Sequence, residues 1–211
     1  MFFSLFYAKK RPLIGLDINH EEIRILQLKR VKEELWVEQV YIGALDAGAI
    51  VDGRIQSLQT VRAAIEKAVQ ATHTKGAEVA IALPMQSVIT KRIKLNEELS
   101  PEECEAEINA NMADYFPHAT EDLVFDFVLE NPSDVLLIAA RKSQLNEYLT
   151  VVKQAGLKIK IVDVDSYALS RGAGFMSAEQ KLAEHLDGNA LLQIAPRLLV
   201  GYGLALRSCA A

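Results

Sequence analysis

From residue 13 onward, apolar and polar positions fall into short blocks whose period changes along the chain. Residues 13–18 and 23–28 are β-type apolar runs with a polar step between them, and residues 35–42 form a third run after a charged turn. Their close spacing predicts an antiparallel meander. Gly48, Asp52 and Gly53 then break the pattern. Leu58, Val61, Ile65, Ala68 and Val69 recur on one stripe, which predicts a helix over residues 57–71. Residues 79–84 are continuously apolar, as suits a strand buried on both faces and reached through a helical crossover.

The following stretch changes character. Ile89, Ile93 and Leu95 alternate with Thr90, Arg92 and Lys94, a strand with one wet face. Ser100-Pro101-Glu102-Glu103 combines an N-cap hydroxyl, a proline at the first helical position and a glutamate at the third. The helix it starts carries Cys104, Ile108, Met112, Tyr115 and Phe116 on its apolar stripe and stops at Pro117. Strands over 123–129 and 135–140 flank the turn Asn131-Pro132-Ser133-Asp134. A helix capped by Ser143 carries Leu145, Tyr148, Leu149 and Val152 to Gly156, and a strand over 159–164 follows. Residues 87–165 thus read β-α-β-β-α-β, the split βαβ order of an inserted module. Beyond them the pattern predicts a short helix over 166–171, a polar helix over 178–185, a strand over 190–194 and a docked terminal helix over 198–207.

Composition narrows the function. With 211 residues, 50% hydrophobic, the chain can bury a full core. Its 23 basic residues are scattered among 28 acidic ones for a net charge of -5, so it lacks the basic face of a nucleic-acid binder. Cys104 and Cys209 make neither a disulfide framework nor a metal spacing, as expected in a reducing compartment, and His20, His73, His118 and His185 form no ligand cluster. Residues 1–7 are apolar and precede Lys9, Lys10 and Arg11, the reverse of a secretory signal and too short to span a bilayer. The arm over residues 1–12 is expected either to tuck onto the domain or to lie against an anionic membrane surface.

Several residues are candidates for chemistry. Gly15-Leu16-Asp17-Ile18-Asn19 places a carboxylate at a strand hairpin. Asp163 and Asp165, with Asp126 and Glu130, could pair as acid and base; with no nucleophile or histidine beside them in the pattern, a role ending or lining strands suits them better. Tyr115 and Phe116 at a helix end, with Ile89 on the preceding strand, are candidate anchors for a peptide; packing in the core is the alternative.

These blocks resemble the PilM family of type IV pilus assembly proteins, actin-like relatives of FtsA. The resemblance rests on residues 13–18 with 25–28, 80–84 with 87–91, Phe116-Pro117, Phe125-Asp126-Phe127, 135–140, 162–169 and the terminal Gly203-Leu204-Ala205-Leu206-Arg207. It implies an α/β fold: an actin-like (ribonuclease H-like) first domain over 13–85 with 163–211, and a βαββαβ module inserted over 86–162. The second actin-like domain would be largely missing between Leu169 and Pro196, where Leu186-Asp187-Gly188-Asn189 is the nearest remnant. The family implies a cytoplasmic scaffold, peripheral at the inner membrane, that holds the tail of a PilN-type membrane protein between the first domain and its insert. Residues 84–95 and 112–127 border that junction. Other pilus assembly components and a second copy of the chain are further partners to expect, in a role such as competence or twitching motility. Gly15, Asp17 and Asn19 would be a vestigial phosphate hairpin, with Asp17 facing Mg²⁺ where ATP is bound; half a site implies no resident cofactor and no enzyme activity. The rival readings are an actin-like nucleotide-binding ATPase and the cytoplasmic domain of a type II secretion platform protein.

Overall fold

The computed structural model describes residues 13–32, 34–96, 99–117, 122–131, 133–175 and 181–208. The N-terminal arm, His118, Cys209 and the first residues of the polar helix expected at 178–185 lie outside these. Strands β1 (Ile14–Ile18), β2 (Glu22–Val31) and β3 (Glu34–Ala44) form the expected meander, and a small hairpin of β4 (Ile50–Val51) and β5 (Arg54–Ile55) leads into α1 (Leu58–Ala71). Helix α1 starts where the Ser57 hydroxyl accepts from the Thr60 amide, and its stripe Val61, Ile65, Ala68 and Val69 is buried. It delivers the chain to β6 (Glu78–Leu83), which lies parallel to β1 and is almost wholly buried.

After β6 the chain leaves the main sheet. Strand β7 (Val88–Lys94), helices α2 (Pro101–Ala110) and α3 (Met112–Tyr115), and strands β8 (Leu123–Leu129) and β9 (Asp134–Arg141) build a second unit. Its three strands pair antiparallel in the order β7-β9-β8. Helix α2 opens on the expected capping box: Ser100 Oγ accepts from the Glu103 amide, and Glu103 Oε2 accepts from the Ser100 amide. The single helix expected through Phe116 breaks at Asn111, which leaves helical geometry and donates its side chain back to the Glu107 carbonyl.

Helix α4 (Lys142–Gln154) and strand β10 (Lys158–Val164) belong to the main sheet, which corrects the expected module of residues 86–162. Strand β10 pairs parallel with β6 in the order β10-β6-β1-β2-β3-β11, and parallel neighbours require a crossover helix, which α4 provides. Tyr148, Val151 and Val152 of α4 share one core with α1 and with Leu16, Ile25 and Ile81 of the sheet. Strand β10 alternates Lys158, Lys160 and Val162 outward because it is an edge strand, and that alternation imitates a strand of a half-exposed insert. Ser143 does not cap α4; Arg141 stands at the N-cap position and the Ser143 hydroxyl donates to Asp122.

The opposite face of the main sheet carries α5 (Asp165–Phe175) and α7 (Leu199–Ala205). Between them lie β11 (Lys181–Leu182), paired parallel with β3, and α6 (Gly188–Ile194). The sequence pattern placed a helix and then a strand here, the reverse of what forms. Asp187 accepts from the Asn189 and Ala190 amides and so starts a helix, whereas a five-residue apolar run carries no period of its own. The terminal helix docks as expected, Leu198, Tyr202, Leu204 and Ala205 being buried. Close approach requires glycine: a methyl at Gly203 would meet the Ala168 carbonyl oxygen of α5, and one at Gly15 the Gly201 carbonyl oxygen of α7.

Gly203→Ala is therefore expected to lower stability by about 1–3 kcal/mol in urea unfolding. Gly174→Ala, where a methyl meets no atom, should leave the midpoint unchanged or higher; an unaltered Gly203→Ala midpoint would contradict this docking of α7.

Candidate functional site

Two clefts open beside the strand ends, and their chemistry differs. The first, of about 630 Å³, lies over the β1–β2 hairpin and includes Asp17, Asn19, Glu21, Arg24, Asp52 and Asp165 in its lining. Asp17 and Arg24 are cross-strand partners, and Arg24 Nη1 donates to Asp17 Oδ2 at 2.8 Å. The same guanidinium donates to Glu22 Oε2 at 2.8 and 2.7 Å, and Glu22 is also paired with Arg197. Asn19 turns its side chain inward, so that Asn19 Oδ1 accepts from the Glu21 and Glu22 amides, each at 2.9 Å. Burial pushes the Asp17 carboxyl above its ordinary range; Arg24 opposes the rise and Asp165 adds to it. Gly15 lies in β1 under α7, where helix packing excludes a side chain.

The second cleft, of about 600 Å³, separates the inserted unit from the main sheet. Helices α2 and α3 cover one face of the insert, enclosing Ile93, Ile108, Phe116, Val135, Leu137 and Ala139. Side chains alternate along a strand, so Leu136, Ile138 and Ala140 of β9 point the other way, with Val88 of β7 and Val124 and Val128 of β8. That apolar face looks across the cleft at Val162 and Val164 of β10, Tyr167 of α5, and the Arg171 and Arg207 side chains. Val128 is 52% exposed and Val162 37%, so the walls are wet as well as apolar.

Polar groups mark both rims. The Phe127 amide of β8 donates to Asp126 Oδ1, and the Val164 amide of β10 to Asp163 Oδ1, each at 2.8 Å. A neighbouring aspartate thus blunts each of these edge strands. Arg171 pairs with Asp163, and Arg207 Nε stands 3.5 Å from the same carboxylate.

The expected candidates divide between these places. Asp17 and Asn19 reach the hairpin cleft. Phe116 is in the insert core, Tyr115 packs partly against that core under Lys91, and Ile89, 47% exposed, projects from the face of β7 opposite Val88. None of the three lines the apolar cleft. The carboxylates are separated: Asp165 accepts from the Met85 amide, Asp126 and Asp163 sit on the rims, and Glu130 binds Arg92 in a two-pronged pair. The sequence reading missed Val128, Leu136, Ile138, Val162, Tyr167, Arg171 and Arg207. One signal was present: β9 is apolar on both faces, while only one helical layer was available to cover it.

The Asp17–Arg24 pair has a testable pH signature. A carboxyl whose folded pKa is raised keeps full stability below its unfolded value, about 3.9, and loses it as pH rises through the folded value. Arg24→Gln removes the opposing cation, so its cost in urea unfolding should be about 3–5 kcal/mol at pH 7 and smaller at pH 5. An equal loss at both pH values would contradict this reading of the pair.

Comparison with known proteins places this geometry. The profile of a family described as type IV pilus assembly protein PilM matches residues 15–185. Among solved structures, a PilM–PilN type IV pilus biogenesis complex aligns with a TM-score of 0.70 and 19% identity, covering 78% of this chain and 51% of that one. The cytoplasmic domain of EpsL, an inner membrane component of the type II secretion system of Vibrio cholerae, aligns with a TM-score of 0.53 and 13% identity, covering 74% of this chain and 58% of that one. These structures share the fold, and the chain spans about half the length of the chain it matches in the PilM–PilN complex. With the family profile matching most of its residues, the chain belongs to the type IV pilus assembly protein PilM family.

Proposed function

We propose that this chain is a scaffold of type IV pilus assembly, which receives the extended cytoplasmic tail of a PilN-type membrane protein in the cleft between the insert and the main sheet. The observation that carries this reading is the uncovered face of β8 and β9, where Val128, Leu136 and Ile138 stand opposite Val162 and Tyr167. Apolar side chains alternating over a concave, preformed wall suit an extended peptide, whose own residues alternate at the same period. An exposed apolar face of this kind is otherwise a liability in water. The aspartates and arginines of the rims offer polar partners that can fix the tail's direction.

The PilM–PilN complex among the structural neighbours supports the choice of partner. Among the described residues no helix is long and apolar enough to cross a membrane. In this reading the chain works in the cytoplasm and is held at the inner membrane through its partner.

Binding of a synthetic PilN-type tail, followed by fluorescence polarisation, tests this directly. Val128→Asp puts a charge on an exposed cleft position and should weaken binding at least about tenfold, equivalent to about 1.4 kcal/mol. Ile89→Asp, on the far face of the same sheet, should leave affinity unchanged. Equal affinities for all three proteins, or no binding by the unaltered chain, would overturn the assignment of the cleft.

A further inference from the structure

We infer that the hairpin cleft is closed to Mg·nucleotide by its own side chains: Arg24 stands where a metal cation would, and Asn19 takes the amides that phosphate oxygens would. The fold family implies such a nucleotide, and the residues present do not fit it.

The cation side fails first. A carboxylate that holds a hydrated metal must offer its lone pairs to the ion or its water. Asp17 Oδ2 instead accepts from Arg24 Nη1 at 2.8 Å, with Asp17 only 4% exposed. Glu22 holds the guanidinium from its other edge, so the arginine cannot swing aside without stranding the buried Asp17 carboxylate and breaking its pair with Glu22.

The anion side fails independently. A hairpin cradles phosphate through backbone amides left free at the turn, together with positive charge. Here the Glu21 and Glu22 amides both donate to Asn19 Oδ1, and the Asn19 amide donates to the Glu22 carbonyl at 3.1 Å. The described lining adds Glu21, Asp52 and Asp165 to Asp17, against Arg24, and Arg24 is already committed. A polyphosphate would meet acidic side chains and, at Asn19, Glu21 and Glu22, amides that are already bonded.

The same ion pairs have a structural consequence. They run from Asp17 through Arg24 and Glu22 to Arg197, in the 3₁₀ segment Ala195–Leu198 that leads into α7. These pairs thereby tie the hairpin to the terminal segment. This inference does not depend on the tail reading, because it concerns a different cleft.

Titration of the ¹⁵N-labelled chain with Mg·ATP and Mg·ADP tests it, with the Asn19, His20, Glu21 and Glu22 amides as reporters and thermal melting in parallel. We expect no saturable shift of these amides and no change in melting temperature at about 5 mM nucleotide, whereas a ligand at a hundred times its Kd raises Tm by about 5–10 °C for a chain of this size. Mg²⁺-dependent, saturable shifts of the hairpin amides with a Kd below about 1 mM would overturn the inference.

Discussion

The carbonyl oxygen of Gly53 fixes the geometry of the apolar cleft. It accepts from Gln144 Nε2 at 2.8 Å and Tyr148 Oη at 3.1 Å, and Ser87 Oγ stands 3.5 Å away, itself 2.6 Å from Gln144 Nε2. Ser87 lies where the chain enters the insert, and Gln144 lies just after it returns. Both crossings are therefore held at one buried acceptor on the β4–β5 turn, and Asp165 adds a third hold through the Met85 amide. Buried hydrogen bonds of this kind are costly to leave unmade, so the insert has a defined attitude against the main sheet. The turn that presents the carbonyl places Asp52 and Gly53 in left-handed backbone, which glycine adopts freely and aspartate tolerates.

This constraint separates two clefts that share one fold. At the hairpin cleft Asp17, Arg24, Glu22 and Arg197 satisfy one another, so their charge is used in holding β1, β2 and the terminal segment together. The insert cleft keeps its apolar walls open, because only one face of the three-stranded sheet is covered by α2 and α3. A small sheet with a single helical layer is a weak unit by itself, and its bare face gains stability only from something laid against it. The proposed binding of an extended tail rests on that imbalance.

Much of this architecture was legible in the sequence. The burial of β6, the capping box at Ser100, the meander over β1–β3 and the docked terminal helix each rested on a local rule that packing reinforced. Local rules failed where context reversed them. Strand β10 alternates because it is an edge, not because it belongs to a half-exposed insert; residues 190–194 are helical because Asp187 caps them; Asn111 breaks a helix whose stripe runs on through it. The site was legible only in part. Asp17 and Asn19, singled out in the sequence, both line the hairpin cleft, but their partners Arg24 and Glu22 read as ordinary strand charges. The apolar cleft brings β8 and β9 against β10, α5 and Arg207, and no sequence period reports such a juxtaposition. Phe116 was conspicuous as a helix-end aromatic next to proline, and the same apolarity buried it.

A crystal structure of the chain with a PilN-type tail tests the central claim most directly. The account predicts an extended peptide lying along the bare face of β8 and β9 against Val162 and Tyr167, with the Gly53 hydrogen bonds intact and the insert in its present orientation. A tail seated over the Asp17 hairpin, or an insert swung away from Gly53 to admit it, would contradict the claim.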